Sequence, residues 1–406
     1  MSNLPQHLIG SILERLPIED AVRTSILSKS WRHTWTTMIV LLFDKQFSKK
    51  TINDILTLHD GPVSKFNLHI PRIELDSFRE VDQTMSLISR KSVQELVLAN
   101  SNRCYELPSY VSSCSKLRNL ELENCIFKPL VKFQVFSNLE RLFLINIDFG
   151  VDSCGTLVTL PQLRSLSLIK CKNVYNFNIK ASKFYSLIVF SCPDAMLLRL
   201  LDTPCLYLVA LCFMEPFEDF VGVERMNLAR LLSKLPKMEQ LAMDGHFMKF
   251  LSAEKIPRWL PHALNSLRYM RLKYFQLSDL DQLHGVLCLL RNSPNLEGLW
   301  MVWRLREPQV MDYDVGPASN HLESSNCLDQ TLNRLQTVQI EYFEGSRPEL
   351  LFIKLLLAHS PSLEELIIKP SGTSSDAHER VNIAMDVTRF PRASPKAELI
   401  FLNPKP

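Results

Sequence analysis

Ten cysteines and ten histidines are the residues of this 406-residue chain best equipped for nucleophilic or metal chemistry. Zinc needs paired ligands, as in Cys-x-x-Cys or His-Glu-x-x-His, and neither spacing occurs. A phosphate cradle needs closely spaced glycines; only 11 glycines are present, with no Gly-x-Gly-x-x-Gly and no Walker-type loop. Paired acids such as Glu364 and Glu365 have no base beside them in a strand pattern and read as solvated surface. No catalytic residues, no metal ligands and no cofactor are therefore expected. Cys125, Cys171 and Cys192 recur at one position of a repeat, which marks them as buried structural thiols.

What remains is chemistry of contact, and it begins at the N-terminus. Leu4, Pro5, Leu8, Ile9, Ile12, Leu13 and Leu16 follow helical spacing up to Pro17, which stops the helix. A second helix is expected from Ile18 to Leu27, with Glu19 and Asp20 in its first turn, and a third from Ser28 to Trp35. So small a unit cannot cover its own apolar surface, which must meet a partner or the following chain. Trp31 serves either as the filler of this unit or as a contact.

From residue 63 onward the pattern becomes Leu-x-x-Leu-x-Leu, the strand half of a leucine-rich repeat. Triplets begin at Leu117, Leu139, Leu163, Phe184 and Leu206, 21 to 24 residues apart, with weaker copies at Val63 and Val93. Longer copies start at Met238, Leu267, Leu296, Leu335 and Leu363, where the added residues read as helices. Ser278 is expected to cap one whose Leu280, Leu283, Val286, Leu287 and Leu290 face inward. Ser346 and Glu349 form a capping box for another, and the polar stretch from Arg304 to Asn326 reads as a loop. A formal net charge of +3 offers no field for collecting nucleic-acid phosphates, and no apolar run approaches a membrane span. Unpaired cysteines and the absence of an Asn-x-Ser/Thr sequon point to a reducing compartment, the cytosol or nucleus.

The run LPQHLIGSILERLPIEDAVRTSILSKSWRHTW, from Leu4 to Trp35, resembles the F-box of plant F-box/LRR proteins. CLDQTLNRLQTVQIEYFEGSRPELLFIKLLLAHSPSLEELIIK, from Cys327 to Lys369, resembles the FBD domain. With the repeats between them, the chain is similar to the F-box/FBD/LRR-repeat family over nearly its whole length. The resemblance implies an α/β fold: a three-helix F-box over 1–42, a parallel-sheet arc of repeats over 60–326, and an FBD-type unit over 327–372 finished by 373–406. It also implies a non-catalytic subunit of a ubiquitin ligase, joined to cullin through a Skp-type adaptor and presenting a target protein. Leu4, Pro5, Leu8, Ile9, Ile12, Leu13, Leu16, Pro17 and Trp31 are the expected adaptor contacts. A reading of another class is an intracellular repeat scaffold or ligand sensor that does not bind the adaptor, motivated by the short lead before Leu4.

Alternation along a strand names the face left for a target. Phe143, Ile145, Ile169, Ile188 and Phe190 form its apolar stripe, flanked by Arg271, Lys273 and an exposed Trp300. Ser167, Ala210, Cys212, Ala242, Asp244, Val302, Gln339 and Glu341 are expected to point the same way. Such a patch marks an interface, unless another part of the chain covers it.

Overall fold

The structure, a computed structural model, describes residues 4–29, 31–43, 49–70, 78–101, 105–107, 109–126, 136–149, 157–174, 178–192, 205–214, 227–252, 256–303, 316–324, 327–371 and 377–403. It forms two compact units, one holding Met1–Phe184 with Asp194–Leu200, the other Tyr185–Pro193 with Leu201–Pro406.

The first unit opens with α1 (Gln6–Leu13) and α2 (Ile18–Arg23), each preceded by a proline whose ring presets φ near the helical value. The helix expected to reach Leu16 stops at Leu13, because the residue before a proline avoids the α region. The second helix is shorter than expected as well. It tightens into a 3-10 turn over Thr24–Ile26, where the Thr24 hydroxyl donates to the Ala21 carbonyl at 2.6 Å. Among the described residues of Ser28 to Trp35 no third α-helix forms. Trp31 to Thr37 winds through turns and a 3-10 segment, Thr34–Thr37, in which the hydroxyls of Thr36 and Thr37 bond back to His33 and Thr34 carbonyls. Threonine hydroxyls that compete for backbone acceptors in this way favour such turns over a helix.

The chain then enters β1 (Val40–Phe43), which pairs in parallel with β2 (Lys65–Ile70). β3 (Glu95–Asn100), β4 (Asn119–Glu123), β5 (Arg141–Ile145) and β6 (Ser165–Ile169) follow, each parallel to the last. Register stacks Phe66, Leu96, Leu120, Leu142 and Leu166 in one row, all buried. α3 (Lys49–Leu58) and α4 (Phe78–Ser89) make the first two crossovers and pack together. Asp60 and Gly61 N–H groups bond the Thr36 carbonyl, and His59 bonds that of Met38, so the N-terminal helices are built onto the first repeat.

The second unit repeats the plan with β7 (Ser186–Phe190), β8 (Leu208–Cys212), β9 (Gln240–Asp244), β10 (Tyr269–Phe275), β11 (Gly298–Trp303), β12 (Thr337–Phe343), β13 (Glu365–Pro370) and β14 (Glu398–Phe401). All pair in parallel in chain order. Its crossovers carry α5 (Leu228–Ser233), α6 (Gly245–Leu251), α7 (Leu280–Arg291), α8 (Gly316–Glu323), α9 (Arg347–His359) and α10 (Ala377–Thr388). Asp279 rather than Ser278 caps α7, its carboxylate accepting from the N–H groups of Asp281 and Gln282, and Leu280 is exposed instead of inward. The capping box of Ser346 and Glu349 is present on α9. Part of the expected loop, residues 304–315 and 325–326, lies outside the described residues; the part Gly316–Glu323 is helical. Pro317 occupies a favoured first-turn position, and Ala318 and Leu322 bury one face of α8.

Candidate functional site

On α1 the apolar residues divide between two faces. Ile9 and Leu13 are fully buried, as is Trp31, so these three expected adaptor contacts are core residues instead. The reason is spacing: on a helix, positions 9 and 13 share one side, and α1 packs against the segment Thr34–Thr37, while 8 and 12 share an adjacent side turned about 100° away. Leu8 and Ile12 are 42% and 41% exposed, Leu4 and Pro5 lie open just ahead of them, Pro17 is exposed and Leu16 half-buried. The unit adds two apolar residues that sequence reasoning placed inside a helix, Ile26 at 88% exposure and Leu27 at 54%. The change to a 3-10 turn at Thr24 turns them outward, and the back-bonding threonine was the one available signal.

In the first unit the outward sheet face brings together Phe143, Ile145 and Ile169, all half-buried, whereas Ser167 between them is buried. Register sets Glu121 opposite Phe143 and Glu123 opposite Ile145, so the apolar cluster has an acidic border. Burial pushes the Glu121 carboxyl above the usual carboxylate range, and the neighbouring Glu123 charge adds to it.

In the second unit Ile188 and Phe190 are half-buried on the same side of the ladder as Arg271, Lys273 and Trp300. Trp300 is half-buried rather than exposed, because the Arg271 guanidinium lies over its ring at 4.9 Å. The indole Nε1 donates to Gln339 Oε1 at 2.5 Å, and Gln339 Nε2 donates to Glu341 Oε1 at 2.9 Å. Lys273 Nζ stands 5.8 Å from the Phe190 ring centre. Asp244 and Cys212 do not join this face. Asp244 is fully buried, accepting from Phe247 N at 2.8 Å, which caps α6, and from Met214 N at 2.6 Å.

The recurring cysteines sit just beyond the strands, where Cys125, Cys171 and Cys192 each donate to the carbonyl two residues earlier, at 3.3 to 3.5 Å. Burial, with the Glu123 charge behind it, pushes the Cys125 thiol up to about 12. A nucleophile needs the opposite shift. Among the described residues no group of three or more His, Cys, Asp or Glu could hold a metal ion, and no helix is long and apolar enough to cross a membrane.

Comparison with known proteins assigns the chain. A family profile for the F-box domain matches residues 1–43, and one for the At1g61320/AtMIF1 LRR domain matches residues 55–389. The Arabidopsis thaliana F-box/FBD/LRR-repeat protein At1g13570 is 32% identical over 433 residues, covering 99% of this chain and 98% of its own length. The chain belongs to the F-box/FBD/LRR-repeat family. Two further Arabidopsis relatives are F-box/FBD/LRR-repeat protein At5g56420, 25% identical over 99% of the chain and 98% of its own length, and probable FBD-associated F-box protein At1g32375, 22% identical over 99% of both. In F-box terms, the matched segment ends at the last residue of β1, so the F-box hands its chain directly to the repeat sheet. The LRR match runs on through β12 and β13, which continue the parallel ladder without interruption.

Proposed function

We propose that this chain is the substrate-recognition subunit of an SCF-type ubiquitin ligase. The observation carrying the reading is an F-box whose Leu4, Pro5, Leu8 and Ile12 stay exposed in one stripe, joined to repeats that hold a second, outward surface. The exposed stripe docks a Skp-type adaptor, which links to cullin, and the outward sheet face takes the target protein. Rate enhancement comes from proximity: holding a target near a ubiquitin-loaded enzyme raises the local concentration of its lysines, with no reacting group supplied by this chain. Buried, unpaired cysteines suit the reducing cytosol or nucleus where such a ligase works.

The test is co-purification of the full-length chain with a Skp adaptor. Capture of the adaptor by the wild type, and its loss in Leu8→Asp with Ile12→Asp at an unchanged melting temperature, is the expected result. A chain that never captures an adaptor is a repeat scaffold, and the ligase reading fails.

A further inference from the structure

Arg271 and Lys273, two positions apart on β10, face outward and form no ion pair among the described residues. Cations at or just before the start of other strands pair with an acid one strand over, as in Arg268 with Glu297 at 2.5 Å, Lys65 with Glu95 at 3.3 Å and Arg118 with Glu140 at 2.5 Å. Each of the two charges on β10 is instead laid against an aromatic ring, Arg271 on Trp300 and Lys273 toward Phe190. Ring contact steadies a cation while leaving its N–H donors without a carboxylate. Trp300 is itself steadied by its bond to Gln339, and Gln339 by its bond to Glu341.

Register supplies the layout. Arg271 lies opposite Ala242 on one side and Trp300 on the other, and Ala242 lies opposite Ala210, which lies opposite Ile188. Arg271 therefore leans toward β11. Lys273 reaches the other way, over β9 and β8, to the ring on β7. The two charges diverge from Cα positions about 7 Å apart, and low alanine side chains lie beside them next to Ile188. A single dianion would want its cations converging; two diverging cations match two monoanions on separate side chains. Farther along, Glu365 and Glu398 pair in register with exposed side chains, so an anionic partner is repelled from that end.

We infer that this face takes an acidic segment of a partner protein, two carboxylate side chains meeting Arg271 and Lys273 while an apolar side chain between them rests on Ala242, Ala210 and Ile188. The inference rests on the target-face reading above and names the chemistry of its occupant.

The experiment titrates the full chain, at about 50 mM salt where screening is weak, into four fluorescein-labelled peptides. Each has Gly-Ser flanks, around Glu-Gly-Leu-Gly-Glu, Gln-Gly-Leu-Gly-Gln, phosphoserine-Gly-Leu-Gly-Ser or Lys-Gly-Leu-Gly-Lys, so that an extended peptide turns its recognition side chains to one face. The Glu peptide is expected to bind about tenfold more tightly than the Gln peptide. Arg271→Gln and Lys273→Gln should each remove much of that preference, and Arg271→Glu with Lys273→Glu should transfer it to the Lys peptide. These side chains are on the surface, so unchanged melting temperatures are expected. Equal binding of the Glu and Gln peptides overturns the inference, as does a Glu preference that survives both Gln variants. Binding of the phosphoserine peptide alone also overturns it and makes the face a phosphate reader. Adaptor capture by the same preparation reports separately on the ligase reading: a chain that captures adaptor but ignores charge sinks only the inference.

Discussion

Single residues decide which side of each strand is core. Leu144 is fully buried while Phe143, one position earlier, is half-exposed. Leu144→Ala should cost about 2–5 kcal/mol in denaturant unfolding, and Phe143→Asp less than about 1 kcal/mol; equal costs would mean that the faces are exchanged. Thiol reactivity reports the same division. Cys205 is the exposed member of the described cysteines, so iodoacetamide should modify it first, with Cys125, Cys171 and Cys192 untouched until unfolding. Mass spectrometry that finds Cys125 modified as fast as Cys205 would contradict its burial. Glu349 offers a pH readout. Burial pushes its carboxyl up to about 7 from 4.5, against the opposing effect of the Ser346 and Glu344 N–H donors at 2.9 and 3.2 Å. An acid whose pKa rises on folding binds more protons folded than unfolded. Its stabilising contribution is full below 4.5 and is lost as pH rises through about 7. Across that window the wild type should lose on the order of 3 kcal/mol relative to Glu349→Gln. Parallel pH curves would show Glu349 ionised in the fold.

At the scale of elements, four consecutive repeats hinge on the residue that follows the strand. Asn124, Asn146, Lys170 and Ser191 all take positive φ, 50° to 56°, which turns the chain under the strand and buries the next side chain. Asparagine tolerates this region best among non-glycine residues, and here it also bonds along the stack. Asn100 Nδ2 donates to the Asn124 carbonyl at 3.0 Å, Asn124 Nδ2 returns a bond to the Asn100 carbonyl, and Asn146 Nδ2 donates to Asn124 Oδ1. Asn124→Ala should destabilise the chain by about 2 kcal/mol, combining backbone strain with loss of the Nδ2 donor to the Asn100 carbonyl and of the Oδ1 acceptor that Asn146 uses. Asn124→Gly relieves only the strain, so thermal melts should rank wild type, then Gly, then Ala. Where the turn falls inside a longer strand, at Tyr274 and Tyr342, the pairing register shifts by one residue instead.

For the molecule as a whole, the C-terminal strands cover the edge that β11 would otherwise expose. Removing residues 327–406 would strip β12 from β11 and uncover α7 on the side of Cys327, whose carbonyl accepts from Arg291. The truncated chain should aggregate through an open strand edge and exposed core, measurable by light scattering. A soluble truncation with a cooperative melt would make the segment an independent domain. At the other end, the F-box is fused to the first repeat through β1 and the Thr36 carbonyl, so its core is continuous with that of the sheet. Substitutions on the outer stripe of α1 and deletion of the F-box should accordingly part company: the first leaves the melt unchanged, the second lowers it.

The repeats were legible because a period of 21 to 24 residues with leucines at fixed positions can be buried in only one way, and each expected triplet from Val63 to Leu363 lies at a parallel strand. The turn cysteines and the capping box of α9 were legible for the same local reason. Alternation along strands separated the buried row from half-buried Phe143, Ile145, Ile169, Ile188 and Phe190, but not Ser167, Cys212 and Asp244, which are buried although they alternate with that row. Neighbours decided the remainder. That Ile9, Leu13 and Trp31 are core while Ile26 and Leu27 are exposed depends on how short helices tighten and pack, which a wide apolar stripe does not reveal. That Asp244 turns inward to accept from Met214 N while Arg271 lies over Trp300 depends on residues about 30 positions apart being set side by side. Local spacing is written in the chain; the pairing of charges, rings and carbonyls between repeats exists only once the strands are stacked.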